Sequence, residues 1–122
     1  EIVNLIRDMT AGRSMLMITH DLAAAGEICD RIAVMYAGEI LEEAAAETIL
    51  NDPQHPYTQG FIRSLPSRGL HPISGSSPSL IDPPSGCRFH PRCPYAMEVC
   101  KSEHPQMVRL ENGHLSRCFL CG

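Results

Sequence analysis

Met15-Leu16-Met17-Ile18-Thr19-His20-Asp21-Leu22, followed closely by Asp30-Arg31-Ile32-Ala33-Val34-Met35-Tyr36-Ala37-Gly38-Glu39-Ile40, decides how this chain folds. The continuous apolar run Met15-Leu16-Met17-Ile18 has the pattern of a strand buried on both faces. It ends on polar residues, of which Asp21 is suited to cap a helix from Leu22 to about Cys29. Ile32-Ala33-Val34-Met35-Tyr36 reads as a second strand. Ala37-Gly38 is a tight turn, and Glu39-Ile40-Leu41-Glu42 a third strand with a polar edge. Upstream, Ile2, Leu5, Ile6 and Met9 recur at helical spacing and predict an amphipathic helix ending near Ala11-Gly12. Helix, strand, helix, strand in this order predicts part of a layered α/β sheet.

Downstream, a short helix is expected over Ala45 to Leu50, stopped by Asn51-Asp52-Pro53. Pro56 suits the first turn of another helix, with Tyr57, Phe61, Ile62 and Leu65 as its apolar stripe. From Pro66 to Gly86 the chain changes character, because 14 of 21 residues are Pro, Ser or Gly. Such a stretch forms no regular helix or sheet. It is either a disordered linker or an extended strap anchored by Ile73, Leu80 and Ile81. From Cys87 onward the sequence reads as a small irregular module.

At 122 residues the chain suffices for one domain, or part of one with a small module added. It begins at Glu1 inside a predicted helix, so a fragment of a longer protein is expected. No apolar run is long enough to span a bilayer, and no secretory signal opens the chain. The net charge of −4 divides unevenly: residues 1–66 carry four Arg against ten acids, residues 87–122 five basic against three acidic groups. An acidic front half gives no sign of nucleic-acid binding.

Six Cys raise the question of disulfides, but an α/β front half without a signal suits a reducing compartment, where clustered Cys more often bind metal. Cys87, Cys93, Cys100 and Cys118 follow the spacing C-x5-C-x6-C-x17-C in a proline-broken stretch that cannot build a large core. Pro91 and Pro94 would fix turns aiming the sulfurs inward, and Arg88, Arg92, Lys101 and Arg117 are near enough in sequence to offset thiolate charge. Zinc is one occupant, with His90, His104 or His114 as substitute ligands, and reduced unliganded thiols are the plain alternative. Cys118-x2-Cys121 has the form of a zinc pair, yet stands at the very end of the sequence. Cys29 reads as a small buried apolar residue.

His20 stands where a buried strand would deliver its last side chain to the carboxyl edge of a sheet, the crevice in which open α/β sheets collect ligands. An imidazole there can donate to a phosphate oxygen or orient a water; a structural role is the ordinary alternative. The string from Leu16 to Leu22, with Ala24, Ile28 and Asp30 through Ile40, closely resembles the switch region of ABC-transporter ATP-binding subunits. Asp52-Pro53-Gln54-His55-Pro56-Tyr57-Thr58, Ile73-Ser74-Gly75-Ser76-Ser77-Pro78-Ser79-Leu80 and Pro84-Ser85-Gly86-Cys87-Arg88-Phe89 through Cys100 narrow the resemblance to the oligopeptide/dipeptide importer branch. Ala44 departs from it, standing where the family usually has a Gly opening the short helix.

The resemblance implies an α/β fold: the C-terminal part of an ABC-type, RecA-like nucleotide-binding domain over residues 1–52, a connecting helix over 53–66, a Pro/Ser/Gly-rich strap over 67–86 and a Cys-rich module over 87–122. It implies that His20 approaches the γ-phosphate of ATP, bound with Mg²⁺, and that Cys87, Cys93, Cys100 and Cys118 ligate a [4Fe–4S] cluster, for which four thiolates are the required number. It implies a second ATP-binding subunit, membrane permease subunits and, indirectly, a peptide-binding protein as partners, on the cytoplasmic face of the plasma membrane. Peptides are the implied cargo, with nickel or another small solute carried by close relatives; a non-catalytic metal-binding or dimerisation module is the reading from another class. The phosphate-cradling loop G-x-x-x-x-G-K-[ST] and the signature motif are absent from the sequence. These residues alone are therefore expected not to hydrolyse ATP.

Overall fold

The computed structural model describes residues 2–121; Glu1 and Gly122, the outermost positions of the first and last expected segments, lie outside the described residues. Ile32, Val34 and Tyr36 point inward along β1 (Arg31–Tyr36) while their neighbours face out, the period-two pattern of a strand with one buried face. Ala37 (φ 50°) and Gly38 (φ 83°) both take the left-handed conformation, which a two-residue hairpin turn demands. The chain returns antiparallel as β2 (Glu39–Ala45), longer than the sequence pattern suggested.

The pairing of β1 with β2 slips between Val34 and Met35, so that Leu41 has no partner of its own. This bulge breaks the alternation and turns both Leu41 and Glu42 inward. Glu42 was expected on a polar edge; it is instead fully buried, because β2 is a central strand. Two short strands, β3 (Val108–Arg109) and β4 (Leu115–Ser116), complete an antiparallel sheet in the order β1-β2-β4-β3. The cysteine-rich tail therefore extends the sheet built by the front half, with Glu42 opposite Ser116 and Glu43 opposite Leu115.

The helices largely follow the sequence pattern. α1 (Ile2–Thr10) forms, as does α2 (Leu22–Ile28), whose cap Asp21 accepts from the Ala24 N–H at 3.1 Å. α3 (Ala46–Asn51) starts one residue past Ala45, and Ala44 lies in β2 opposite Ile32, so the position expected to open this helix is a strand residue. α4 (Pro56–Arg63) carries Pro56 in its first turn, and α5 (Glu98–Ser102) is a single short turn in the tail. Leu22, Ala25, Ile32, Val34, Ala44, Ala46, Ile49 and Ile62 make one apolar core beneath the hairpin.

The strand expected over Met15–Ile18 does not form. Leu16 and Ile18 are about nine-tenths exposed, and among the described residues nothing pairs with this segment. A strand of that composition needs partners at its edges and cover on both faces. The apolar side of α1 is likewise open, with Ile2, Leu5 and Met9 exposed. In the strap, only Ile73 of the three expected anchors packs inward; Leu80 and Ile81 face solvent. Apart from a 3-10 turn at Pro66–Arg68, the strap has no regular secondary structure.

Candidate functional site

Aromatic residues are scarce in this chain, yet Tyr36, Tyr57, Phe61 and Phe89 stack at the junction of hairpin, α4 and tail. Tyr36 and Tyr57 lie 4.6 Å apart, and Phe89 meets each of them edge-on at 5.4 Å between centroids. Cys87, Cys93 and Cys100 sit in this same cluster, beside Leu41 and Phe89. The Cys87 N–H donates to the Cys100 carbonyl at 2.8 Å, and the Met97 N–H to the Cys100 sulfur at 3.4 Å. Cys93 and Cys100 are near enough to Cys87 for their charges to interact, and Cys118 also interacts with Cys87.

Burial pushes the Cys87 and Cys93 thiols above their ordinary range, with the neighbouring sulfurs adding to the effect. Cys118 is raised as well, first by the hydrogen bond it shares with Cys121 and then by burial. The same bond holds Cys121 down to about 6. Desolvation thus favours the protonated forms of Cys87, Cys93 and Cys118. The arginines expected to offset thiolate charge bind elsewhere. Arg88 donates to the Ala37 carbonyl (2.5 Å), Arg92 to that of Ser74 (2.9 Å), and Arg117 to those of Ile40 (3.1 Å) and Pro105 (3.2 Å), while Lys101 pairs with Glu98. They tie tail and strap to the hairpin rather than tuning the sulfurs.

The histidines named as substitute metal ligands are also engaged. His90 Nδ1–H donates to the Cys87 carbonyl at 2.8 Å, His104 meets Glu39 at 2.7 Å, and His114 meets Glu42 in the interior. Among the described residues no group of three or more His, Cys, Asp or Glu side chains closes around a point where one metal ion would sit. Cys29, expected to be buried, is half-buried against the apolar core beneath the hairpin. His20 is exposed at the bend before α2, on an element separate from the cysteine cluster.

One feature escaped sequence reasoning. The Glu42 carboxylate accepts from the Gln54 N–H (2.7 Å), the His55 N–H (2.9 Å) and the His114 ring. Three donors from two distant segments satisfy a charge that would otherwise be costly to bury. Gln54 and His55 stand at the N-terminal end of α4, where a carboxylate is also favoured by the positive end of the helix dipole. His55 in turn accepts the Tyr57 N–H at its Nδ1 (3.0 Å), which places its proton on Nε2. That Nε2 and the Thr58 hydroxyl are buried without hydrogen-bond partners among the described residues. The sequence held a signal for this hub in His55-Pro56, a helix cap and first turn, but nothing in it pointed to a carboxylate 13 residues earlier.

Burial lowers His55 from the usual 6.5 to about 4, despite the opposing pull of Glu42. The unfolded chain therefore binds a proton between these values that the folded chain refuses. The contribution to stability is complete above pH 6.5 and is lost as the pH falls through that window, by roughly 3 kcal/mol in all. Denaturant midpoints at pH 7.5, 6, 5 and 4 check this: a falling midpoint across the window is expected, and a flat profile would show that His55 protonates freely in the fold.

Residues 41–100 match the family described as the oligopeptide/dipeptide transporter, C-terminal region. This span includes Glu42, His55-Pro56-Tyr57, Cys87, Cys93 and Cys100. The dipeptide transport ATP-binding protein DppD of Caldanaerobacter subterraneus subsp. tengcongensis is 45% identical over 112 residues, which covers 88% of this chain and 34% of that protein. A putative peptide import ATP-binding protein of Brucella ovis is 40% identical, covering 98% of this chain and 40% of its own length. The oligopeptide transport ATP-binding protein AppD of Bacillus subtilis is 39% identical over the same share of this chain. The chain spans about a third to two fifths of the length of these relatives.

Proposed function

The chain belongs to the family of ATP-binding subunits of oligopeptide/dipeptide ABC importers, whose C-terminal region it carries, and from that premise we propose that it forms part of a subunit coupling ATP hydrolysis to peptide uptake. The observation that carries this reading is similarity to peptide-transport ATP-binding proteins along nearly the whole chain. The parent protein would bind ATP with Mg²⁺, pair with a second ATP-binding subunit and act beneath membrane permeases that receive peptide from a binding protein. Its place would be the cytoplasmic face of the plasma membrane; among the described residues no helix is long and apolar enough to cross a membrane.

In this reading His20 is the residue that meets the γ-phosphate. Its exposure at a bend leaves the ring free to reach a nucleotide held by other parts of the parent protein. Residues 1–52 belong to the nucleotide-binding domain, 53–66 connect, 67–86 run as the strap and 87–122 form the Cys-rich module, docked on the domain through β4. In the intact protein His20→Ala is expected to abolish ATP turnover while ATP binding survives. Turnover at the parental rate would remove His20 from this role.

Cys87, Cys93, Cys100 and Cys118 are the residues that would hold a [4Fe–4S] cluster. Cys87, Cys93 and Cys100 packing into one cluster, with Cys118 close enough to Cys87 for their charges to interact, supports it. A bound cluster would cross-link the tail, supplying order that a small core cannot. The chain's own residues would position the ligands: Phe89 and Leu41 are buried beside them, and the Cys87 to Cys100 backbone bond ties their two segments together. Protein purified without oxygen is expected to contain iron and acid-labile sulfide in near-equal amounts, about four of each per chain. Cys93→Ser should lose both together with the order of the tail. Zinc without sulfide would overturn the cluster assignment and leave the family untouched.

A further inference from the structure

Cys121 has no place in the four-thiol set, yet it stands one turn from a member of it, Cys118. The backbone from Cys118 closes a 3-10 turn, Phe119–Cys121, with the Cys121 N–H donating to the Cys118 carbonyl at 3.2 Å. Residues three apart in a 3-10 helix eclipse one another, and a rise of about 2 Å per residue puts their Cα atoms about 6 Å apart. That separation lies inside the range of about 4.4–6.8 Å that a disulfide bridges. Cys118 is buried, whereas Cys121 is half-buried and lines an open cavity of about 460 Å³ together with Gln54, Tyr95 and Leu120. The Cys121 thiol is oriented by donation to the Ser116 hydroxyl at 3.3 Å, and Ser116 itself is fully buried.

We propose that Cys118 and Cys121 form a dithiol modification site, converted by a peroxide to a disulfide and restored by a dithiol reductant. The cavity admits a peroxide of small size to the Cys121 sulfur. Sulfur attacks one peroxide oxygen, the O–O bond breaks, and the departing hydroxide leaves as water with the thiol proton. The resulting sulfenic acid lies beside Cys118. The Cys118 sulfur attacks the Cys121 sulfur, the S–OH bond breaks, and a second water leaves with the Cys118 proton. Two thiols have lost two electrons, and one peroxide has become two waters. Cys118 in a disulfide cannot ligate iron, so the oxidised tail and the loaded cluster exclude each other. This consequence rests on the ligand set proposed above; the disulfide does not.

The test uses intact protein treated with hydrogen peroxide, blocked with an alkylating agent and cut with trypsin. Cleavage after Arg117 gives a peptide that begins at Cys118 and contains Cys121. It is expected to appear unalkylated and lighter by about 2 Da, and to regain both alkylation sites after dithiothreitol. Cys121→Ser should keep the visible absorption of the cluster and lose the lighter peptide. A peptide whose two thiols both alkylate after peroxide would overturn the proposal. So would Cys121 carrying oxygen beside a free Cys118, or Cys118 found bridged to another cysteine. Loss of the cluster in Cys121→Ser would make Cys121 a ligand and refute its role as a spare thiol. If no iron or sulfide is present at all, the cluster assignment fails while the peptide mass still decides the disulfide.

Discussion

Glu42→Ala is expected to cost about 3–5 kcal/mol, the loss typical when one member of a buried charged cluster is removed. The carboxylate is fully buried, and its removal strands three donors at once: the N–H groups of Gln54 and His55 and the ring of His114. The damage should spread in two directions, because Glu42 is bonded both to the start of α4 and to His114 just before β4. Amide hydrogen exchange gives the direct reading. The Gln54 and His55 amides should lose their protection first, followed by those of β4. Glu42→Gln keeps the shape and one accepting oxygen, so its cost should be smaller, about 2 kcal/mol. A Glu42→Ala protein with unchanged exchange at Gln54 and His55 would show that the hub is not what joins tail to hairpin.

The second large effect is expected at Gly86, which stands just before the first cluster cysteine. Its φ of +70° is strained for any residue with a Cβ, at about 1–2 kcal/mol. An added Cβ would also fall 2.3 Å from the Cys100 carbonyl oxygen and 2.7 Å from the Lys101 carbonyl carbon. These are backbone atoms that cannot swing aside, so the Cys87 to Cys100 hydrogen bond must break to make room. Gly86→Ala should therefore lower stability by about 3 kcal/mol or more and separate two of the four thiols. Gly12→Ala is the internal control. Gly12 has a similar φ of +75° with nothing within 4 Å of the added carbon, so it should show the backbone strain alone. Equal effects of the two substitutions on stability would mean that the close approach at Gly86 is relieved without cost.

Much of this was legible in the residues themselves. Local signals placed α2 behind its Asp21 cap, the β1–β2 hairpin around Ala37-Gly38, and α4 behind Pro56, because caps, turns and proline act over a few residues. The same locality explains where those signals misled. Met15–Ile18 has strand composition, but a strand exists only where another pairs with it, and Leu16 and Ile18 stand open. Leu80 and Ile81 looked like anchors until the path of the strap left them in solvent, while Arg92 and Ile73 hold the strap where it does pack.

The sequence by itself determined the local elements and the resemblance to the peptide-importer family, since these depend on residue type, order and spacing. The tertiary structure alone decided where Glu42, His114 and Cys121 stand and what they touch. Glu42 looks like any solvated strand carboxylate until the bulge at Leu41 turns it inward and β4 covers it. His114 is 72 residues away along the chain, and only the sheet order β1-β2-β4-β3 brings the two together. Burial and long-range pairing are properties of the folded whole: a buried charge selects its partners by proximity in space, and spacing along the chain carries no record of that choice.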